Sequence, residues 1–432
     1  MTTTDFLTRR RSMLVQATGL LAGAAGAAIV AACGGSEAPA SKPAEPTKAA
    51  GAAPTTAAAK PAEPTKAPAA AEPTKAPAAA EPTKAPAAAP ASGGAGLITG
   101  PFDGEAKALT GAGATFPAAL YSKWFNDYNK VTQVQVNYQS IGSGGGIKAI
   151  SDQTADFGAT DSPMTDAQLK DAKGGDILHI PMALGAVVAT YNIPGLEGTK
   201  LKLSGDVLAA IFLGTITKWN DPKIAADNAG VKLPAEDIVS VHRSDGSGTS
   251  FVFTDYLSAV SAEWKSKVGA STTVNWPGGI GGKGNEGVAG EVKQNPFSIG
   301  YVELIYAIQN KLGVASVKNK AGNWVEPTLE GVTAAAAAAS GKVAPDLRVS
   351  IVEQEGEKTY PISTFTWILA YKTMTDAPKA IALTRLLWWA THDGQKLTGD
   401  LGYAPLPAEI VAKGEAMIKS IQAGGKPAFP GK

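Results

Sequence analysis

The chain of 432 residues holds one cysteine, Cys33, and three histidines, His179, His242 and His392. A disulfide framework and a cysteine-based zinc site are thereby excluded, and a histidine-rich catalytic metal centre is not expected. Charge of one sign is also lacking. Lys and Arg number 39 against 38 Asp and Glu, a net of +1, so no global basic field points to nucleic acid. Charged residues make up only 18%, against roughly a quarter in ordinary globular chains. Hydrophobic residues, at 44%, are close to the globular average, and the length allows two or three domains.

A second shortage is local. Between residues 34 and 96 there is no large apolar side chain. Such a stretch cannot bury enough surface to offset the entropy of ordering. It carries a repeat, Ala-Glu-Pro-Thr-Lys-Ala-Pro, built on Glu63, Glu72 and Glu81, with an earlier copy at Glu45-Pro46-Thr47-Lys48. Frequent proline favours polyproline II, in which about 65 residues at about 3.1 Å each reach on the order of 200 Å. Residues 34–102 therefore read as a disordered tether. Its Glu and Lys alternate, so it neither collapses nor strongly repels itself.

Ahead of the tether, Arg9, Arg10 and Arg11 form a basic start, and Met13 to Ala32 is apolar or small apart from polar interruptions such as Gln16 and Thr18 near its start. The run ends Val30-Ala31-Ala32-Cys33. Residues 1–33 thus read as a signal peptide. A cysteine directly after Val-Ala-Ala resembles the bacterial lipobox, which implies lipidation of Cys33 and a membrane anchor. The arginines also resemble a twin-arginine signal, and a Sec route stays open. Removing Arg9, Arg10, Arg11 and Asp5 leaves 36 basic against 37 acidic residues, a balance of −1.

The folded part is 101–432. Val131 to Tyr138 alternates apolar and polar residues and predicts a strand. Ala183–Tyr191 and Ile362–Tyr371 are near-continuous apolar runs, as buried strands are. Helices are expected at Ala118–Lys130, Ile147–Asp152, Phe251–Leu257 and Ala377–Thr391. This alternation predicts an α/β fold with largely parallel sheets, and Trp388-Trp389 is expected in its core.

Three segments share one grammar, small hydroxyl or glycine residues directly before a helix. They are Gly111-Ala112-Gly113-Ala114-Thr115-Phe116-Pro117, Ile141-Gly142-Ser143-Gly144-Gly145-Gly146, and Arg243-Ser244-Asp245-Gly246-Ser247-Gly248-Thr249-Ser250. Helix N-termini carry unpaired N–H groups and partial positive charge. Glycine lets an anion approach that backbone, and Ser or Thr adds a hydroxyl. Each segment alone could be an ordinary cap, with Thr115 as N-cap and Pro117 in the first turn. Together, and with Arg243, they suggest an anion held by neutral donors. Catalytic templates fit poorly. Gly278 to Gly287 is not a P-loop, because glycine follows Lys283. No Gly-x-Ser-x-Gly elbow surrounds Ser143, Ser247 or Ser250, and His242 is a poor base beside the Arg243 guanidinium.

These motifs, in this order over 108–420, resemble the phosphate-binding component of the bacterial high-affinity phosphate ABC importer, the PstS family. Asp156-Phe157-Gly158-Ala159-Thr160-Asp161, Gly281-Gly282-Lys283-Gly284-Asn285 and Gly402-Tyr403-Ala404-Pro405-Leu406-Pro407 add to the match. The resemblance implies a type II periplasmic-binding-protein fold, with two α/β lobes, a ligand cleft and two hinge crossings near 184–192 and 355–364. Lobe 1 would be 103–185 and 363–432, and lobe 2 would be 190–355. The implied phosphate-binding set is Thr115, Phe116, Ser143, Asp161, Arg243, Ser247, Gly248 and Thr249. Asp245 would back Arg243. Asp161 would accept the proton that phosphate keeps and sulfate lacks. Read as structure alone, Asp161 would be a helix N-cap before Ser162-Pro163.

The expected function is an extracytoplasmic receptor that delivers inorganic phosphate to membrane permease subunits. It would face a periplasm or the cell exterior as a monomer, with no catalytic residue, metal or cofactor and no nucleic-acid partner. Alternatives are a phosphate-releasing hydrolase on the same scaffold, a receptor for another tetrahedral oxyanion, and a surface sensor or adhesin.

Overall fold

The structure is a computed structural model, and it describes residues 98–431. The segment 1–33 with Cys33, and residues 34–97 of the repeat, lie outside the described residues.

Among the described residues the main element is a nine-stranded mixed sheet. Its principal strands are β1 (Ala108–Gly113), β2 (Gln135–Ser140), β3 (Phe157–Thr160), β4 (Ile177–Asn192), β5 (Val239–Arg243), β6 (Ile280–Gly282), β7 (Ser298–Glu303) and β8 (Ser363–Tyr371). They lie in the order β2-β1-β3-β8-β4-β7-β5-β6, and Gly313–Val314 adds a short pairing to β4. The long strand β4 joins the two parts of the sheet. Its residues Ile177 to Ala186 pair with β8, and Val187 to Asn192 pair with β7. The first lobe gathers on the β1, β2, β3 and β8 side, and the second on the β5, β6 and β7 side. β4 and β8 are buried along nearly their whole length and mostly apolar, with Ser363, Thr364 and Thr366 the serine and threonine positions of β8, as suits strands covered on both faces.

The expectation of largely parallel sheets needs correction. The outer pairs β1–β2, β1–β3, β5–β6 and β5–β7 are parallel, but every pair made by β4 or β8 is antiparallel. The chain leaves the first lobe along β4 and returns along β8, so these neighbours must run in opposite directions.

Six helices matter for the site: α1 (Ala118–Thr132), α2 (Ser143–Ser151), α3 (Gly248–Val260), α4 (Gly284–Gln294), α5 (Leu304–Asn310) and α6 (Ala377–Thr391). α6 matches the periodic segment read from the sequence. Asp376 caps it by accepting from the Lys379 N–H at 3.0 Å, and Pro378 sits in its first turn, where a missing N–H costs nothing. Trp388 and Trp389 are buried in the core.

Three local expectations fail for identifiable reasons. Val131 and Thr132 finish α1 rather than open a strand, because Gln133 turns left-handed at φ 63° and stops the helix. α2 and α3 begin three or four residues earlier than their apolar periodicity suggests, at Ser143 and Gly248. The glycine-rich loops themselves wind the first turns. Residues 98–102 do not belong with the tether. Ile98 is buried, Gly100 O accepts from Arg385 Nη2 at 2.7 Å, and the Arg385 guanidinium lies 5.2 Å from the Phe102 ring centre.

Arg385 on α6 also donates to Glu105 at 2.5 Å, and both side chains are almost fully buried. Removing one partner of such a pair leaves a buried charge unpaired. Arg385→Ala is therefore expected to cost about 3–5 kcal/mol in urea unfolding of the full chain. A loss below about 1 kcal/mol, the size of a surface pair, would contradict this account.

Candidate functional site

The starts of α2 and α3 meet head to head. Gly144 N–H donates to Gly246 O at 2.9 Å, across the two lobes. Glycine is required here by space. A Cβ on Gly248 would lie 2.5 Å from Ser143 Oγ and 2.6 Å from Asp161 Oδ2. Gly142 has φ 84°, a left-handed conformation, and a Cβ on it would lie 2.3 Å from Asp245 Oδ2. The backbone N–H groups of Thr115, Phe116, Ser143, Gly248 and Thr249 have no acceptor among the described residues, although all five residues are buried. Buried N–H groups are almost always paired, so this convergence calls for an external acceptor.

Asn285, in the first turn of α4, decides which way two hydroxyls point. Its Nδ2 donates to Thr115 Oγ1 at 2.8 Å and to Thr249 Oγ1 at 3.1 Å, and its backbone N–H also donates to Thr115 Oγ1 at 3.2 Å. Arg243 Nη1 lies 3.4 Å from Thr249 Oγ1. A hydroxyl has two acceptor positions and one proton. Both oxygens already accept twice, so each threonine has only its O–H left to offer. Thr115 does not cap α1. Pro117 takes the N-cap position without a side-chain bond, because the Thr115 hydroxyl is engaged by Asn285 instead. Tyr306 on α5 donates to Thr115 O at 2.6 Å. In a planar trans peptide the N–H points opposite to the C=O, so the Phe116 N–H faces away from Tyr306.

Arg243 ends β5 and is held by two bonds to Asp245, Nε to Oδ1 at 2.8 Å and Nη2 to Oδ2 at 2.5 Å. Gly284 N–H adds a third bond to Asp245 Oδ1 at 3.0 Å. Burial works upward on the Asp245 carboxyl, but the Arg243 contacts and the Gly284 amide outweigh it and hold the pKa below its usual value. Ser247 accepts from the Ser250 N–H at 3.0 Å, an N-cap that leaves its own proton free.

Asp161 is the acidic side chain among these donors. It is not an N-cap; the following helix, Asp166–Asp171, is capped by Thr165. Thr366 on β8 donates to Asp161 Oδ1 at 2.8 Å, and Ser143 Oγ lies 3.4 Å from Oδ2. Burial raises the Asp161 pKa to about 7, against the pull of Thr366, Arg243 and Ser143.

The structure thus brings Thr115, Phe116, Ser143, Asp161, Arg243, Ser247, Gly248 and Thr249 to one place, with Asp245 behind Arg243. Sequence reasoning missed Asn285, Thr366, Tyr306 and Tyr403. Asn285 and Tyr403 sat inside quoted motifs, but nothing local marked their partners. No histidine reaches the serines. His242 stacks on Trp276 with Nδ1 3.1 Å from Arg243 O, His179 accepts from Met164 N–H, and His392 contacts Trp388 O and Glu415. Among the described residues no cluster of His, Cys, Asp and Glu could hold a metal ion.

Comparison with known proteins now bears on this geometry. Residues 62–391 match the family model described as the PBP superfamily domain. The phosphate-binding protein PstS of Xylella fastidiosa strain 9a5c is 48% identical over 308 residues, covering 71% of this chain and 84% of that protein. PstS of Pasteurella multocida is 46% identical over 316 residues, covering 73% and 91%. Among solved structures, a high-affinity periplasmic phosphate-binding protein bound with phosphate shares 23% identity at a TM-score of 0.59, covering 71% of this chain and 93% of that one. A phosphate-binding protein from Stenotrophomonas maltophilia shares 20% at 0.56, covering 72% and 94%. These two carry the fold alone. The chain belongs to the PstS family of phosphate-binding proteins, and its fold is of the type II periplasmic-binding kind.

Asn285→Leu keeps most of the volume but removes the amide that bridges Thr115 and Thr249 and accepts from the Glu303 N–H at 2.9 Å. Unpaired buried polar groups should lower stability by about 1–3 kcal/mol. Urea unfolding of the full chain checks this, and an unchanged midpoint and slope would remove Asn285 from its bridging role.

Proposed function

We propose that this chain is an exported receptor that captures inorganic phosphate between two lobes and delivers it to the permease subunits of an ABC importer. One observation carries the reading. The buried meeting point of the lobes presents N–H and O–H donors together with the buried Asp161 carboxyl, which Thr366 and Ser143 contact and which makes no ion pair among the described residues. Thr115, Phe116, Ser143, Ser247, Gly248, Thr249 and Arg243 donate to the ion. Asp245 orients the Arg243 fork and cancels part of its charge, so binding rests on short hydrogen bonds rather than on net field. The change of β4 partners between Ala186 and Val187 supports lobe borders at 103–185 with 363–432, and 190–355. Closure about the two crossings would bring the donors of both lobes onto the ion.

Asp161 makes the choice of ion. A carboxylate against an anion repels unless a proton lies between them. Phosphate near neutral pH brings one and sulfate does not. Sites built to satisfy a substrate O–H commonly reject analogues without it by about 10⁴–10⁵.

The hydrolase reading lacks support, because no histidine contacts Ser143, Ser247 or Ser250. The N-terminal sequence supports the remaining features. Export of the 1–33 segment, acylation of Cys33 and the repeat tether would leave a monomeric module standing off a membrane, facing a periplasm or the cell exterior.

Two measurements by titration calorimetry test the site. Asp161→Asn should narrow the phosphate-to-sulfate preference by at least about tenfold, whereas Arg243→Ala should weaken both anions by about 10- to 100-fold. Unchanged discrimination in the Asp161 variant would falsify the proton-acceptor role. The second is pH dependence. With a pKa raised to about 7, Asp161 is ionised above that value and rejects sulfate. Below it the carboxyl carries a proton that it can donate to sulfate. The preference for phosphate should therefore shrink as pH falls from 8.5 to 5.5 in the parent but not in Asp161→Asn. A flat ratio in the parent would overturn the assignment.

A further inference from the structure

β7 ends on Glu303, whose side chain has no solvent exposure. No cation pairs with it among the described residues. Oε1 has no hydrogen-bond partner. Oε2 accepts from the Ile305 N–H at 3.0 Å and lies 3.1 Å from the Tyr403 hydroxyl. That hydroxyl has a single proton, and it also lies 2.6 Å from Phe116 O. A carbonyl can only accept, so at this short distance the tyrosine proton belongs to Phe116 O. The contact between Tyr403 and Glu303 then needs a second proton, and Glu303 is its source.

We propose that Glu303 is a protonated positioning residue of the receptor site. Its carboxyl donates to Tyr403 Oη, which donates to Phe116 O, so a proton held on the second lobe fixes the first lobe's anion-binding loop. The inference rests on the phosphate reading of that loop. The Glu303 backbone works to the same end. Its N–H donates to Asn285 Oδ1 at 2.9 Å, which leaves the Asn285 Nδ2 for Thr115 and Thr249. Both routes from Glu303 thus end on adjacent residues, Thr115 and Phe116.

The groups facing Glu303 agree. Tyr403 comes from the segment after α6, Tyr306 from α5, and Asp161 from the turn after β3. Val187 pairs with Glu303 from β4 and brings no charge. An ionised Glu303 would meet the Asp161 charge and no cation, a costly arrangement in a buried site. Burial accordingly pushes its pKa well above the ordinary glutamate value. The neutral form, and with it the relay, persists below that raised pKa and is lost as pH rises through it.

The test uses the full-length chain and inorganic phosphate at pH 7.5. Infrared difference spectra between the parent and Glu303→Gln should show a protonated carboxyl C=O stretch in the parent that the variant lacks. Glu303→Gln keeps an N–H donor and should bind phosphate within about threefold of the parent, whereas Glu303→Leu and Tyr403→Phe each break the relay and should lose about tenfold, one hydrogen bond's worth. A Glu303 signal in the carboxylate region overturns the proposal, whether or not the variants fold. So does a folded Gln variant that loses as much affinity as the Leu variant. If the parent itself fails to bind phosphate, the receptor reading falls, and with it the role assigned to Glu303; the infrared result alone then reports its proton.

Discussion

Asn285 gives both hydrogens of its side-chain amide to threonine oxygens that belong to opposite lobes. The character of the site depends on this one arrangement. A threonine hydroxyl is otherwise indifferent, able to donate or accept as its neighbours require. With its acceptor positions filled from behind, it can only donate forward. Two hydroxyls, five backbone N–H groups and a guanidinium then present the same polarity to the space between α2 and α3. The amide of Asn285 is itself aligned by the Glu303 N–H, at the end of the strand that pairs with β4.

Close approach is the second condition. Donors from two lobes can converge only if no side chain stands between them, and Gly142, Gly144, Gly246 and Gly248 provide that clearance. Gly246 and Gly144 lie so close that a Cβ on either would be 3.1–3.2 Å from the other's Cα. Glycine costs backbone entropy wherever it occurs. Here it stands at the lobe contact, where it lets the two backbones meet directly.

Charge plays a narrower part than the presence of an arginine suggests. Arg243 is neutralised by Asp245 in a bidentate pair, and the chain as a whole is near neutral. Two carboxyls close to the meeting point, Asp161 and Glu303, are both pushed upward by burial. Their protons therefore belong to the description of the site as much as its heavy atoms do. Among such directional donors, a buried acceptor carboxyl such as Asp161 can respond to whether an anion carries a proton, which a strong positive field could not do.

Local sequence alone determined much of the scaffold. Long apolar runs at 183–191 and 362–371 read as buried strands, and the segments at 118–130 and 377–391 read as helices, and the structure has them so. The small-residue loops before Ser143 and Gly248 also announced helix starts open to an anion, because unpaired N–H groups follow from helix geometry itself. Residues 131–134 misled, since a left-handed Gln133 leaves no trace in an apolar pattern. Tertiary structure alone decided what those loops could do. Asn285 reaches Thr115 across 170 residues, Thr366 reaches Asp161 across 205, and Glu303 reaches Tyr403 across 100. No periodicity carries such pairings. They exist because β4 and β8 lay distant segments side by side, and burial there fixes the direction of ordinary hydroxyls and amides and pushes the carboxyl pKa values upward.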